Sequence, residues 1–207
     1  MQLAKFIPKF MFQGEVAKSW YNAQKEVIFY GKISIFPFAK KEPTLRSSKY
    51  RKKGDTVTKV FDPINRDVSR WMLIEKVIPT IMEKWPQIDQ HHTIYIQQDN
   101  TKAHITQDYA KSPNSPGMNV LDLGFFRRIQ SLQHKKMAKT PDQLIKVVED
   151  AFSELHPIRL LKVWVTLCHT MNQILKIKSS NRFEPPHVNK EKLEREGRLQ
   201  DPIEAPM

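Results

Sequence analysis

The chain of 207 residues contains one cysteine, Cys168, so it cannot form an internal disulfide and suits a reducing compartment. Long hydrophobic runs are missing as well. The most apolar stretch, Leu160-Leu161-Lys162-Val163-Trp164-Val165-Thr166-Leu167, is interrupted by a lysine. It falls well short of the roughly 18 apolar residues that a membrane span requires. The opening residues, Met1 to Pro8, lack the charged-then-apolar pattern and the small-residue cleavage site of a secretory signal, so an intracellular location is expected. Internal repeats, low-complexity blocks and recognisable linkers are absent too. Acidic side chains are scarce, 22 against 34 Lys and Arg, giving a net charge of +12. The chain does have enough apolar residues for a core: 40% are hydrophobic and 10% aromatic, which argues against wholesale disorder. The length suits one ordinary domain or a large piece of one.

Charge is unevenly distributed. Residues 1–50 carry 9 basic and 3 acidic side chains, half of the total excess. The densest patch comprises Lys40, Lys41, Arg46, Lys49, Arg51, Lys52 and Lys53, in a stretch with Ser, Thr and Gly but few apolar residues. It reads as an exposed basic loop. Such a loop neutralises phosphates without needing fixed geometry, so a polyanion partner is one reading. A solvated loop or a nuclear-import signal is the other.

Two early stretches predict strands, about Phe10–Ala17 and about Val27–Ala39, with a turn at Asn22-Ala23-Gln24-Lys25 between them. Asp67 is placed to cap a helix running to about Lys84, with apolar residues at helical spacing and a kink expected at Pro79. Thr93 to Asp99 predicts a short strand ending in a carboxylate, and residues 112–117 are turn-rich. Helices follow: about Asp122 to Leu132, then Pro141 to Leu155 capped by Thr140, then Pro157 to about Lys178. The tail from Asn181 is polar and is expected to be extended over the surface or partly disordered. Strands first and helices last around one core give an α/β or α+β class.

The chemistry concentrates between residues 94 and 126. Asp99 ends the predicted strand and Asp122 begins a helix. Two carboxylates brought together in this way can hold two Mg²⁺ ions about 3.5–4 Å apart, one activating a nucleophile and the other stabilising a leaving oxygen. Oxygen ligands suit hard divalent cations. Taken alone, an Asp after a strand is more often a turn or cap residue, and Asp122 also suits a helix cap. His104 has no second His or Cys at metal-binding spacing and fits a packing or phosphate-neighbouring role better.

The wording of the window is more specific. Gln97-Gln98-Asp99-Asn100 with His104, followed by Pro113-Asn114-Ser115-Pro116 and Asn119-Val120-Leu121-Asp122-Leu123-Gly124-Phe125-Phe126, resembles mariner-like transposases of the plant and water-mould type. The resemblance runs from about Lys5 to Leu199. It includes Gly31-Lys32-Ile33 with Pro37-Phe38, Arg46-Ser47-Ser48, Glu75-Lys76-Val77-Ile78-Pro79 and residues 193–199. It implies an RNase H-like catalytic domain of the DDE superfamily, in which three carboxylates bind two Mg²⁺ (or Mn²⁺) ions to cut and join DNA at transposon ends. Asp99 corresponds to the second carboxylate and Asp122 to the third, with Asn100 and His104 in support. The basic patch is then a candidate DNA contact, on grounds of charge.

The sequence departs from that family in three ways. The family's first catalytic Asp lies upstream of the segment matching Lys5–Met11, and no Asp precedes Asp55 here. Between Asp99 and Asp122 lie 22 residues, positions 100–121, too few for the helix and strand that the family holds there. Gly117 stands where the family has Asp, a mild change in a turn. The resemblance therefore implies a truncated, α/β, RNase H-like fold over residues 5–178 with a polar tail over 179–207. It also implies a protein that does not cleave DNA alone. Its implied partners are DNA, a second copy or a full-length transposase, in the nucleus, with no membrane. A non-enzymatic DNA-binding protein is the alternative, and exposed strand edges are expected in either case.

Overall fold

The computed structural model describes residues 9–89, 91–98, 118–133, 136, 138–176 and 187–199. The chain is mixed α and β, with small antiparallel sheets. Six short strands come first: β1 Phe12–Val16, β2 Trp20–Tyr21, β3 Val27–Phe29, β4 Lys32–Pro37, β5 Ala39–Pro43 and β6 Thr56–Val60. They pair as β1–β4, β2–β3 and β5–β6, each pair antiparallel.

The single strand expected over residues 27–39 is therefore divided among β3, β4 and the start of β5. Gly31 causes the first division. It adopts φ +73°, and its carbonyl accepts from the Ala17 N–H at 2.7 Å, which turns the chain out of one ladder and into the next. The turn at residues 22–25 forms as expected and joins β2 to β3, with the Glu26 N–H donating to the Asn22 side chain at 2.8 Å.

The first helical stretch comprises α1 Arg66–Met72, a π-helical turn Leu73–Val77 and α2 Ile78–Lys84. Asn65, not Asp67, is the cap: its side chain accepts from the Val68 N–H at 3.0 Å. Asp67 lies in the first turn, where a carboxylate favours the helix dipole. Pro79 has no N–H to donate to Glu75, and its ring would crowd that carbonyl. The wider turn, in which the Ile78 N–H reaches the Leu73 carbonyl, absorbs the mismatch.

In the second half, a π-helical turn Leu121–Phe125 leads into α3 Phe126–Gln133, followed by α4 Pro141–Glu154 and α5 Pro157–Lys176. Thr140 caps α4 through the Gln143 N–H at 3.2 Å, and Pro141 occupies the first turn, as its sequence predicts.

β1 and β4 lie between two apolar clusters. On one side are Ile35, Phe125, Ile129, Val148, Phe152 and Leu160, contributed largely by α3, α4 and α5. On the other are Ile33, Phe38, Met72, Val77 and Ile81, extended by Trp20 and Trp85 around Phe29 with ring centroids 5.5–5.6 Å apart. Leu160 and Phe125 are each 1% exposed, and burying a side chain of this kind contributes roughly 1.5–3 kcal/mol.

The tail differs from the extended segment expected. Residues 187–199 contain α6, Lys190–Arg195, and Leu199 packs with Leu161 and Val165. Residues 93–98, expected as a strand, belong to no ladder among the described residues.

Candidate functional site

Lys40 and Lys41 lie on β5, and the remaining predicted basic residues follow on the connection to β6. The exposed loop expected here is therefore a β-hairpin with a basic tip. Charge hides its strand character, because Ala39-Lys40-Lys41-Glu42-Pro43 has no apolar alternation. The ladder runs from Ala39 opposite Val60 to Pro43 opposite Thr56.

The tip is held by its own polar groups. The Thr44 N–H donates to the Asp55 carbonyl at 2.8 Å and the Ser48 N–H to the Arg51 carbonyl at 2.7 Å. The Lys52 N–H donates to the Asp55 carboxylate at 2.7 Å, and the Lys53 N–H to the Ser47 hydroxyl at 3.0 Å. Gly54, at φ +94°, closes the return. Arg46, Lys49, Arg51, Lys52 and Lys53 are all exposed. A bond from the Thr58 hydroxyl to Asp142 at 2.6 Å ties the hairpin stem to α4.

The stem adds a cation that sequence reasoning missed. Lys59 sits opposite Lys40 in the register, and both contact Glu42, at 2.8 and 2.5 Å. Hydrogen bonds from the two ammonium groups bring the Glu42 carboxyl down to about 2, which separates two like charges that the ladder places face to face. The signal for Lys59 is its place in the β-branched run Thr56-Val57-Thr58-Lys59-Val60, legible only once β5 is seen as its partner. Across residues 39–60 the hairpin carries 8 basic and 2 acidic side chains, a net +6. Lys40 also extends over the Phe61 ring at 5.7 Å.

The carboxylate site is less complete. Asp99, Asn100 and His104 lie outside the described residues. Asp122 is exposed in the first turn after Asn119, whose amide donates to it at 3.0 Å while its side-chain oxygen accepts from the Leu121 N–H. Gly124, at φ +151°, then reorients the chain before α3. Among the described residues no three His, Cys, Asp or Glu side chains come together.

Asp122 borders a cavity beside β1, and the other carboxylate on that cavity among the described residues is Glu15, on β1. Burial pushes its carboxyl above the ordinary value, against hydrogen bonds from Ser34 and Gln13. A carboxyl held toward its protonated form is a poor cation ligand. Among the described residues Asp122 stands without the second carboxylate of the predicted pair.

Fold and site together define a mixed α/β protein with an exposed basic hairpin and an exposed aspartate, Asp122, at the start of the helical stretch that leads into α3. No family model, curated protein or solved structure matches the chain. No helix among the described residues is long and apolar enough to cross a membrane.

Proposed function

We propose that this chain binds double-stranded DNA through the β5–β6 hairpin, as a non-cleaving derivative of a mariner-like transposase catalytic domain. The observation that carries the proposal is the hairpin: eight basic side chains against two acidic ones over residues 39–60, five of the basic ones on a tip ordered by its own hydrogen bonds. An ordered turn presents cations to a phosphate backbone without losing all of its conformational freedom at binding. Helices on both faces of the β1–β4 pair are compatible with an RNase H-like origin, and the motif around Asp122 supports the transposase reading. Contacts of this kind read phosphates and carry no base specificity.

Fluorescence anisotropy with a labelled 20-base-pair duplex of arbitrary sequence tests the proposal. About four phosphate contacts give an affinity loss on the order of 100-fold between 50 and 200 mM NaCl. Replacing Arg46, Lys49, Arg51, Lys52 and Lys53 together by Gln abolishes most of the affinity and flattens the salt slope. No binding at 50 mM NaCl, or unchanged binding by that variant, would refute the hairpin as the contact. Supercoiled plasmid incubated with Mg²⁺ or Mn²⁺ remains intact. Nicking that disappears in Asp122→Asn would instead identify an active nuclease.

A further inference from the structure

A cavity of about 640 Å³ opens beside β1. Residues 11–18 all border it, one after another. Successive side chains of a strand point to opposite faces, so an unbroken run of bordering residues means that the strand's edge opens on the cavity. Residues 94–98 border it in the same unbroken way. Leu73, Val77 and Ile81 form one wall, and Leu121, Phe126 and Trp164 the other.

Among the described residues both edges are unpaired. The Met11 carbonyl accepts from the Phe38 N–H at 2.9 Å, so Met11, Gln13 and Glu15 direct their backbone groups toward β4. By the same alternation Phe12, Gly14 and Val16 direct theirs into the cavity. Opposite them, Thr93-Ile94-Tyr95-Ile96-Gln97-Gln98 has the composition of a strand but makes no ladder among the described residues.

We infer that this slot receives one extended strand from a different polypeptide, inserted between β1 and residues 93–98 and hydrogen-bonded to both. A strand as long as β1 fills a slab roughly 5 Å by 10 Å by 17 Å, on the order of 800 Å³ and comparable with the cavity. Because both walls are apolar, the guest strand is apolar on both faces, as a fully buried strand is. This is recognition by strand addition, in which main-chain bonds supply affinity and side-chain pockets supply selectivity. It is separate from the basic hairpin and stands whether or not the chain binds DNA.

The test uses a synthetic peptide, acetyl-Lys-Val-Ile-Val-Thr-Val-Leu-Lys-amide, and the same peptide N-methylated at alternate residues on one edge. Titration into the full chain, followed by tryptophan fluorescence, is expected to show saturable one-to-one binding. The N-methylated peptide has the same apolar side chains but lacks donors along one edge, and it binds at least tenfold more weakly. Amide exchange at Phe12, Gly14 and Val16 slows at least tenfold with the first peptide bound. Leu73→Trp, which fills the slot, removes peptide binding; if that variant does not fold, the exchange measurement on the unaltered chain decides. Absence of saturable binding, equal binding of the two peptides, or protection confined to other residues overturns the inference. So does a stable dimer of this chain that closes the slot without any peptide.

Discussion

Gly31 and Glu15 show how much one side chain decides on β1 and its neighbours. At Gly31 the positive φ is accompanied by close packing: an added Cβ would overlap the Ala17 carbonyl oxygen and approach the Leu160 side chain at 3.1 Å. A left-handed conformation alone costs an L-residue about 1–2 kcal/mol. Gly31→Ala is therefore expected to lose more than about 2 kcal/mol in urea unfolding, and a loss under about 0.5 kcal/mol would contradict the backbone described here. Glu15 behaves in the opposite sense to a surface carboxylate. Its folded-state pKa is raised from 4.5 by burial, so its contribution to stability is full below the unfolded value and is lost as pH rises through the folded one. Glu15→Gln keeps the shape without the ionisation. The urea midpoints of the two proteins are expected to converge near pH 4 and to separate toward neutrality, with the variant higher. A pH-independent gap between them would mean that Glu15 is solvated.

Elements with local signals matched their sequences, and elements that depend on a neighbour did not. Helix α4 begins at Pro141 after the Thr140 cap because both determinants lie within four residues. α5 is specified by an apolar face that includes Leu160, Leu161, Val165 and Leu167. By contrast, residues 93–98 have strand composition but no strand beside them among the described residues, and β propensity is realised only against a partner. In α6, Lys190–Arg195, most side chains are charged, and six residues are too few to hold a helix alone. Docking supplies what is missing: Lys162 contacts Glu194 at 2.5 Å and Glu191 at 3.2 Å, and Leu199 is 2% exposed against Leu161 and Val165. The bond to Glu194 is the main reason the Lys162 ammonium is held above its ordinary value. Leu199→Ala is expected to cost about 2–4 kcal/mol. Measured by chemical denaturation, an unchanged midpoint would show that the segment does not dock.

The whole molecule carries its +12 unevenly, with half on the hairpin of residues 39–60. Salt therefore acts on stability and on the proposed binding in opposite directions. Screening relieves self-repulsion among the cations, and between 20 and 300 mM NaCl thermal stability is expected to rise on the order of 1 kcal/mol, about 2–4 °C at this length. DNA affinity falls over the same range. A melting temperature that falls with salt would mean that ion pairs such as those around Glu42 and Lys162 outweigh the repulsion.

Residue order alone reveals the net charge, the basic concentration before residue 54, the caps and faces of α4 and α5, and the motif around Asp122, because each depends on side chains close together in the chain. Folding in three dimensions settles the rest. It makes a hairpin of the basic stretch, with Lys59 opposite Lys40, and buries Glu15 beside Ser34. Among the described residues it also leaves 93–98 without a ladder, across a cavity from an edge of β1 that has no strand on it. These outcomes depend on which groups meet across the chain, and pairing, burial and open edges are properties of neighbours that local spacing does not specify.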